Sequence, residues 1–116
     1  MKLVVPTSFK VLSHKGKVVR LCREDLDKKA KDLCPRTKDS TVGLYDHQTH
    51  TIYLVDTLKG TELIQCYLHE LIHCILYSTG QDGLSEDEDF VDLFSEVLLQ
   101  ILSSQKGKLE NVQIND

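Results

Sequence analysis

The stretch Tyr67-Leu68-His69-Glu70-Leu71-Ile72-His73-Cys74 decides the fold that this sequence predicts. It lies in the middle of residues 63–80, where apolar side chains recur at helical spacing and Glu70 is the only charged residue. On a helical wheel these apolar side chains cover about 220° of the circumference. A helix that is apolar over so much of its surface is buried in the core of a domain. The sequence therefore predicts a buried helix that carries two histidines and one glutamate.

The two histidines are spaced to bind one metal ion. His69 and His73 stand four residues apart, so their imidazoles project from one face of the helix, one turn apart. Two rings in this arrangement can share a zinc ion at about 2.0–2.1 Å. Glu70 lies about 100° further round the helix. This position suits a general base that accepts a proton from a zinc-bound water. The alternative is a core helix with two hydrogen-bonded histidines and a partly exposed glutamate, but zinc and its water would compensate the buried carboxylate.

A catalytic zinc usually has three protein ligands, so the sequence must supply one more. Residues 85–104 predict a second helix, in which Glu88 lies at the border of the apolar face and Glu96 points away from it. Glu88 is therefore the predicted third ligand, and Asp92 is the next candidate. If Glu88 binds the metal, Asp92 is expected to accept a hydrogen bond from a ligating imidazole. The alternative is a capping box, in which Ser85 is the N-cap and Glu88 bonds to the backbone at the helix start.

The N-terminal part of the chain, residues 1–40, predicts strands and a surface helix. The strands are expected at residues 2–5, 9–12 and 18–19, with a turn at residues 14–16. The helix is expected at Arg23–Leu33, because apolar residues recur there at helical spacing among charged ones and Pro35 ends the pattern.

The remaining segments follow from turn and capping signals. Residues 41–56 predict a β-hairpin, because two β-rich runs flank a polar loop. Residues 57–80 contain the buried helix, with Thr57 or Thr61 as its N-cap and Gly80 at its end. Tyr77, one turn beyond His73, is either a hydrogen-bond donor to an oxyanion or a packing residue. Residues 105–116 are polar and predict a frayed tail.

Length and charge limit the classes of protein that fit. The chain has 116 residues, which suits a single domain spanning residues 1–116. Its net charge of −4, without a basic stripe, argues against nucleic-acid binding. The histidines and Glu70 in the apolar run argue against a membrane span. Four cysteines without a CxxC pair, and no leader peptide, predict reduced thiols and a cytoplasmic location.

The HExxH pattern at residues 69–73, followed by an ExxxD pattern at Glu88 and Asp92, resembles the glutamate zincins, or gluzincins. The closer resemblance is to the ImmA/IrrE-like and small phage-encoded metallopeptidase domains, in which a β-hairpin leads directly into the HExxH helix. This resemblance covers residues 41–102, and the bulky apolar residues after Glu88 depart from the alanine-rich stretch usual in such domains. It implies zinc on His69, His73 and Glu88, with Glu70 as general base. It also implies that a sheet edge near the hairpin holds an extended peptide as an added strand.

The sequence thus predicts a small α+β domain of the zincin type. A short antiparallel sheet with a hairpin leads into the HExxH helix, which packs on a second, C-terminal helix. The expected function is zinc-dependent hydrolysis of a peptide bond, with zinc as cofactor and a protein or peptide as substrate. The alternative is a binding or inhibitory protein on the same scaffold, with zinc structural or absent. Glu70 favours the enzyme, because a structural site needs no carboxylate there, whereas the small size of the chain favours the alternative.

Overall fold

The structure of the protein is a computed structural model that describes residues 4–34 and 41–105. It confirms the α+β class, with four strands and four helices in the described part of the chain. The elements are β1 (Ser8–Val11), β2 (His14–Leu21), α1 (Arg23–Leu33), β3 (Gly43–Asp46), β4 (Thr51–Val55), α2 (Gly60–Ser78), α3 (Asp82–Ser85) and α4 (Glu88–Ser104). The surface helix and the hairpin therefore lie where the sequence predicts them.

The four strands form one mixed sheet in the order β1-β2-β4-β3. The hairpin partners β3 and β4 pair antiparallel, as do β1 and β2, but β2 and β4 are parallel, with Lys17 opposite Thr51 and Leu21 opposite Val55. The prediction of an antiparallel sheet is therefore wrong for this central pair. The chain leaves β2 through α1 and β3 before it returns in β4, and such a crossover permits parallel pairing. As a consequence β3 lies at an edge of the sheet.

The predicted turn at residues 14–16 is also wrong, because these residues begin β2. The turn instead comprises residues 12 and 13, between β1 and β2, and the φ of Leu12, 54°, is in the left-handed region. Gly16 permits a close approach, since a Cβ on it would lie 2.1 Å from Cζ of Phe9 on the neighbouring strand. The predicted strand at residues 2–5 falls partly outside the described residues, and Val4 and Val5 are not in a strand.

Helix α2 packs on one face of the sheet and forms the core with it. Tyr67 and Leu68 of α2 join the buried strand residues Ile52, Leu54 and Val55 in one apolar cluster. The helix ends as predicted before Gly80, whose φ is 76°. The predicted N-cap is wrong, because Lys59 occupies that position without a side-chain bond.

The last helix begins three residues later than the sequence predicts. Residues 82–85 form the separate short helix α3, and α4 starts at Glu88 with Asp87 as its N-cap. The Asp87 carboxylate accepts a hydrogen bond from the backbone N–H of Phe90 at 3.1 Å. Ser85 therefore does not cap α4, and Glu88 directly follows the cap, so the capping-box alternative is excluded.

The buried face of α4 is rotated from the one that the apolar pattern predicts. Val91 and Ser95 are fully buried against the rest of the domain, whereas Phe94, Val97 and Ile101 remain about half exposed. Gln65 of α2 donates a hydrogen bond to the Ser95 hydroxyl at 2.9 Å, which fixes α4 against α2. Within the described residues, no helix combines the length and the apolar character that crossing a membrane requires. The predicted tail, apart from Gln105, lies outside the described residues.

Candidate metal centre

The two histidines of α2 converge on one point beside the sheet. Nε2 of His69 lies 3.2 Å from Nε2 of His73, and both side chains are more than four-fifths buried. Their rings meet edge to face, with centroids 4.9 Å apart. The i, i+4 spacing on a single helix therefore places the same nitrogen of each ring toward the same space.

Glu88 closes this space from the first turn of α4. Its two carboxylate oxygens lie 3.1 Å from Nε2 of His69 and 3.1 Å from Nε2 of His73. Donor atoms bound to one zinc ion in a tetrahedron lie about 3.3–3.5 Å apart. The spacing between these three groups is close to that value, and the cluster is one that could hold a metal ion. The structure thus brings together the three residues that the sequence predicts as ligands.

The outer nitrogens of both histidines have their own partners. Nδ1 of His69 lies 2.8 Å from a carboxylate oxygen of Asp92, and Nδ1 of His73 lies 2.9 Å from the hydroxyl of Ser85. A carboxylate can only accept, so Nδ1 of His69 donates to Asp92 and Nε2 is the nitrogen that faces Glu88 and His73. Such outer contacts orient imidazoles toward a metal. The contact of Asp92 is the one predicted, and it leaves Glu88 as the acid that faces both Nε2 atoms.

Sequence reasoning missed the role of Ser85. The residue is 3% exposed and lies twelve positions from His73, in the short helix α3. No periodic spacing links a serine in one helix to a histidine in another, so the sequence offers no signal for this contact. The capping motif gave Ser85 a different expected role, which the position of Asp87 now excludes.

The electrostatics of the cluster favour a bound cation. Two imidazole lone pairs and an anionic carboxylate within 3.2 Å of one another repel unless a proton or a cation lies among them. Burial lowers the pKa of His73, more than the nearby Glu88 carboxylate raises it. Because burial makes a protonated His73 less stable, a divalent cation compensates the carboxylate better than a proton does. The donor set of two nitrogens and one oxygen fits zinc.

Glu70 is deeply buried beside this cluster but is not part of it. It is 8% exposed, and its nearest carboxylate oxygen is 4.0 Å from Nε2 of His69. Burial, which has the largest effect, and the nearby carboxylates of Glu88 and Asp92 together raise the pKa of Glu70 to about 8. A base with a pKa near neutrality can both take and release a proton.

The edge strand β3 packs directly against Glu70, and this contact requires a glycine. A Cβ on Gly43 would lie 3.3 Å from Cγ of Glu70 and 3.0 Å from Cδ2 of Leu54. The first residue of β3 therefore has to be small for the strand to run past the glutamate. Sequence reasoning missed Gly43, although a glycine within a β-rich run is a signal of close approach.

A cleft of about 450 Å³ opens onto the cluster between β3 and α4. It is lined by Gly43, Leu44 and Tyr45 of β3, by His69, Glu70, His73 and Tyr77 of α2, and by Ser85, Glu86 and Glu88. Tyr77 stacks on His47, with ring centroids 4.9 Å apart and planes 3° from parallel. This stacking favours packing as the role of Tyr77.

No protein family model, curated protein or solved structure matches this chain. The resemblance to the zincins consequently depends on the residues of the sequence alone. Any functional argument has to be made from the geometry of the metal centre and the cleft.

Proposed function

We propose that the protein is a zinc-dependent metallopeptidase. The observation that carries the proposal is the convergence of His69, His73 and Glu88 with a buried carboxylate, Glu70, next to them. A purely structural zinc site is closed by four protein ligands, whereas a catalytic site keeps a position open. Three donors in the described residues, facing a cleft, correspond to the second arrangement.

Bound zinc would supply Lewis acidity, which lowers the pKa of a coordinated water and polarises a carbonyl group. The residues of the chain supply the rest. Glu70 accepts a proton at its carboxylate and transfers it to the leaving amine, for which a pKa raised by burial is suited. Gly43 allows the backbone of β3 to lie beside Glu70, so that a substrate next to this strand is also next to the base.

The open edge of β3 supports a peptide as the substrate. In the described residues β3 pairs with no strand other than β4, so its other side has no strand partner, although the N–H and the carbonyl oxygen of Gly43 both bond to the hydroxyl of Thr41. An extended peptide can add to such an edge through main-chain hydrogen bonds. Because the edge lines the cleft, a peptide held there passes the three donors and Glu70.

Elemental analysis and a peptidase assay with matched variants test this proposal. The protein purified without chelator should contain about one zinc per chain and cleave an unstructured protein substrate. Glu70→Gln should retain zinc and abolish cleavage. Glu62→Gln, an exposed acid of the same helix, is the control and should retain both. A chain that neither retains nor takes up zinc, or a Glu70→Gln variant with normal cleavage, would contradict the proposal.

A second candidate is a binding protein on the same scaffold, and one feature of α4 favours it. Leu93, Phe94, Val97 and Ile101 leave an exposed apolar row on this helix, and exposed apolar patches often mark interaction sites. In that case zinc would be structural or absent, and the wild type and Glu70→Gln would both be inactive on every peptide tested.

A further inference from the structure

We propose that a second cavity beside the metal centre receives a lysine or arginine side chain of the bound peptide. The inference rests on the proposed function, because the peptide is held by the same edge strand. The second cavity has a volume of about 450 Å³ and is lined by residues of α1, β3 and the hairpin loop, with Tyr77 of α2. It shares Leu44, Tyr45 and Tyr77 with the cleft at the metal centre. The two cavities are thus neighbours along one strand edge.

The position of the second cavity follows from the pleat of a strand. Successive side chains of an extended peptide point to opposite faces. A peptide added to the edge of β3 therefore directs one side chain toward α2 and the metal centre, and the next toward α1. Helix α1 contributes Ala30, Asp32 and Leu33 to the second cavity. The side chain next to the reacting residue thus has a place to enter.

The walls of this cavity suit a long side chain with an apolar stem. Leu33 and Leu44 line it together with the rings of Tyr45 and Tyr77. Lysine and arginine bury their methylene stems on such apolar surfaces while the charged group stays near polar partners. Aromatic rings also attract cations through their π faces.

Two carboxylates supply the complementary charge. Asp32 is exposed at the C-terminal end of α1, whereas Asp46 is 5% exposed at the end of β3. Asp46 accepts hydrogen bonds only from neutral donors, the Gln48 backbone N–H and the Thr49 hydroxyl, each at 3.0 Å. In residues 4–34 and 41–105 neither aspartate has an ion-pair partner within 4.0 Å. Within these described residues no cation neutralises either charge.

The distribution of charge along the chain favours the same class of peptide. Residues 60–105, which provide the metal centre and one wall of the cleft, contain nine acidic residues and no lysine or arginine. These acids are Glu62, Glu70, Asp82, Glu86, Asp87, Glu88, Asp89, Asp92 and Glu96. Three of them, Glu70, Glu86 and Glu88, line the cleft, and acidic groups around a cleft attract cationic substrates and repel acidic ones.

The test uses synthetic peptides that differ in one charge. A library of extended peptides first identifies cleavage sites, which should be enriched in lysine or arginine next to the cut bond. The best arginine peptide is then compared with its citrulline counterpart, which keeps the shape without the charge, and with a norleucine counterpart. We expect kcat/KM to be about tenfold higher for the arginine peptide than for the citrulline peptide, because one charge-assisted hydrogen bond contributes about that factor.

Variants assign this preference to the second cavity. Asp32→Lys should remove the preference for arginine over citrulline, and Asp46→Asn should reduce it. Asp25→Lys, at an exposed position of the same helix outside the cavity, is the control and should retain the preference. Equal rates for arginine and citrulline, faster cleavage of the norleucine peptide, or an unchanged ratio in both Asp32→Lys and Asp46→Asn would overturn the proposal.

A binding measurement separates this proposal from the proposed function. Zinc-loaded Glu70→Gln is titrated with the arginine and citrulline peptides. The arginine peptide is expected to bind about tenfold more tightly than the citrulline peptide. This difference in affinity should be lost when Glu70→Gln is combined with Asp32→Lys. If the wild type cleaves nothing but this difference is present, the peptidase function fails and the cavity proposal stands. If the two peptides bind equally, or neither binds, the cavity proposal fails whatever the wild type cleaves.

Discussion

Replacing Glu88 by glutamine separates its role as a ligand from any role in folding. The side chain is 62% exposed, and its two oxygens lie 3.1 Å from the two histidines. Structural zinc sites with four ligands bind with about 10–16 kcal/mol, or about 3–4 kcal/mol for each ligand. Replacing the anionic oxygen by a neutral amide should therefore weaken zinc binding about 10²- to 10³-fold.

The same substitution should barely change the stability of the metal-free protein. Glu88 is the first residue of α4, so glutamine removes a favourable charge near the helix N-terminus, worth about 0.3–1 kcal/mol, and also removes the opposing repulsion between Glu88 and Glu70. Asp89→Asn removes a charge from the same turn and is the matched control, because Asp89 is not among the residues that contact the histidines. Its effect on stability should be similar, and its zinc affinity should stay within a few-fold of the wild type.

Competition with a fluorescent zinc chelator measures the affinities, and urea denaturation after chelation measures the stabilities. The reasoning is refuted if Glu88→Gln binds zinc as tightly as Asp89→Asn. If zinc is retained in Glu88→Gln but lost in Asp92→Asn, the third ligand is Asp92. If both variants bind like the wild type, neither acid is a ligand.

Three further predictions concern the surroundings of the site. Ser85→Ala should lower zinc affinity about tenfold, because Nδ1 of His73 loses its partner; an unchanged affinity in the chelator assay would exclude this orienting role. Gly43→Ala should destabilise the protein by about 1–3 kcal/mol, since its Cβ meets Leu54 and Glu70, and should lower kcat more than it raises KM; thermal denaturation and steady-state kinetics measure the two effects. In the metal-free protein the raised pKa of Glu70, about 8 against 4.5, means that the folded state holds a proton that the unfolded state releases. Its contribution to stability is therefore complete below pH 4.5 and is lost as the pH rises toward 8, by about 1 kcal/mol per pH unit. Between pH 4.5 and 8, the free energy of unfolding of the wild type, measured by urea denaturation, should fall relative to that of Glu70→Gln. Parallel pH profiles of the two proteins would contradict this prediction.

The elements predicted best from the sequence are those with strong local signals. The surface helix α1 has the predicted bounds, and the spacing of His69 and His73 is sufficient to place their rings together. Both depend on the helical period alone, which tertiary contacts rarely override when many apolar positions agree with it. The capping motif at residues 85–88 was a weaker signal, because a sequence with several acids offers more than one cap. Asp87 competes for that role, and the structure has it as the N-cap.

Two other features that the sequence did not predict depend on contacts between distant segments. The parallel pairing of β2 with β4 follows from the path of the chain through α1, which leaves no trace in the strand sequences. The buried face of α4 is similar, since every residue from Val97 to Leu99 is apolar and the pattern does not say which one faces inward. The sequence shows that such a helix has a broad apolar face, but contacts with the neighbouring helix determine which part of that face is buried.

The charge around the metal centre links the site to its expected ligand. Glu70, Glu88 and Asp92 bring three carboxylates around two histidines, one of which has its pKa lowered by burial. With neutral imidazoles these carboxylates repel one another, which contributes to the raised pKa of Glu70. A bound divalent cation would offset most of this repulsion and would lower that pKa toward the range in which Glu70 is ionised and able to act as a base. The repulsion between these carboxylates opposes folding of the metal-free protein and would therefore favour metal binding. Only with the metal bound would Glu70 be in the ionised state that the proposed catalysis requires.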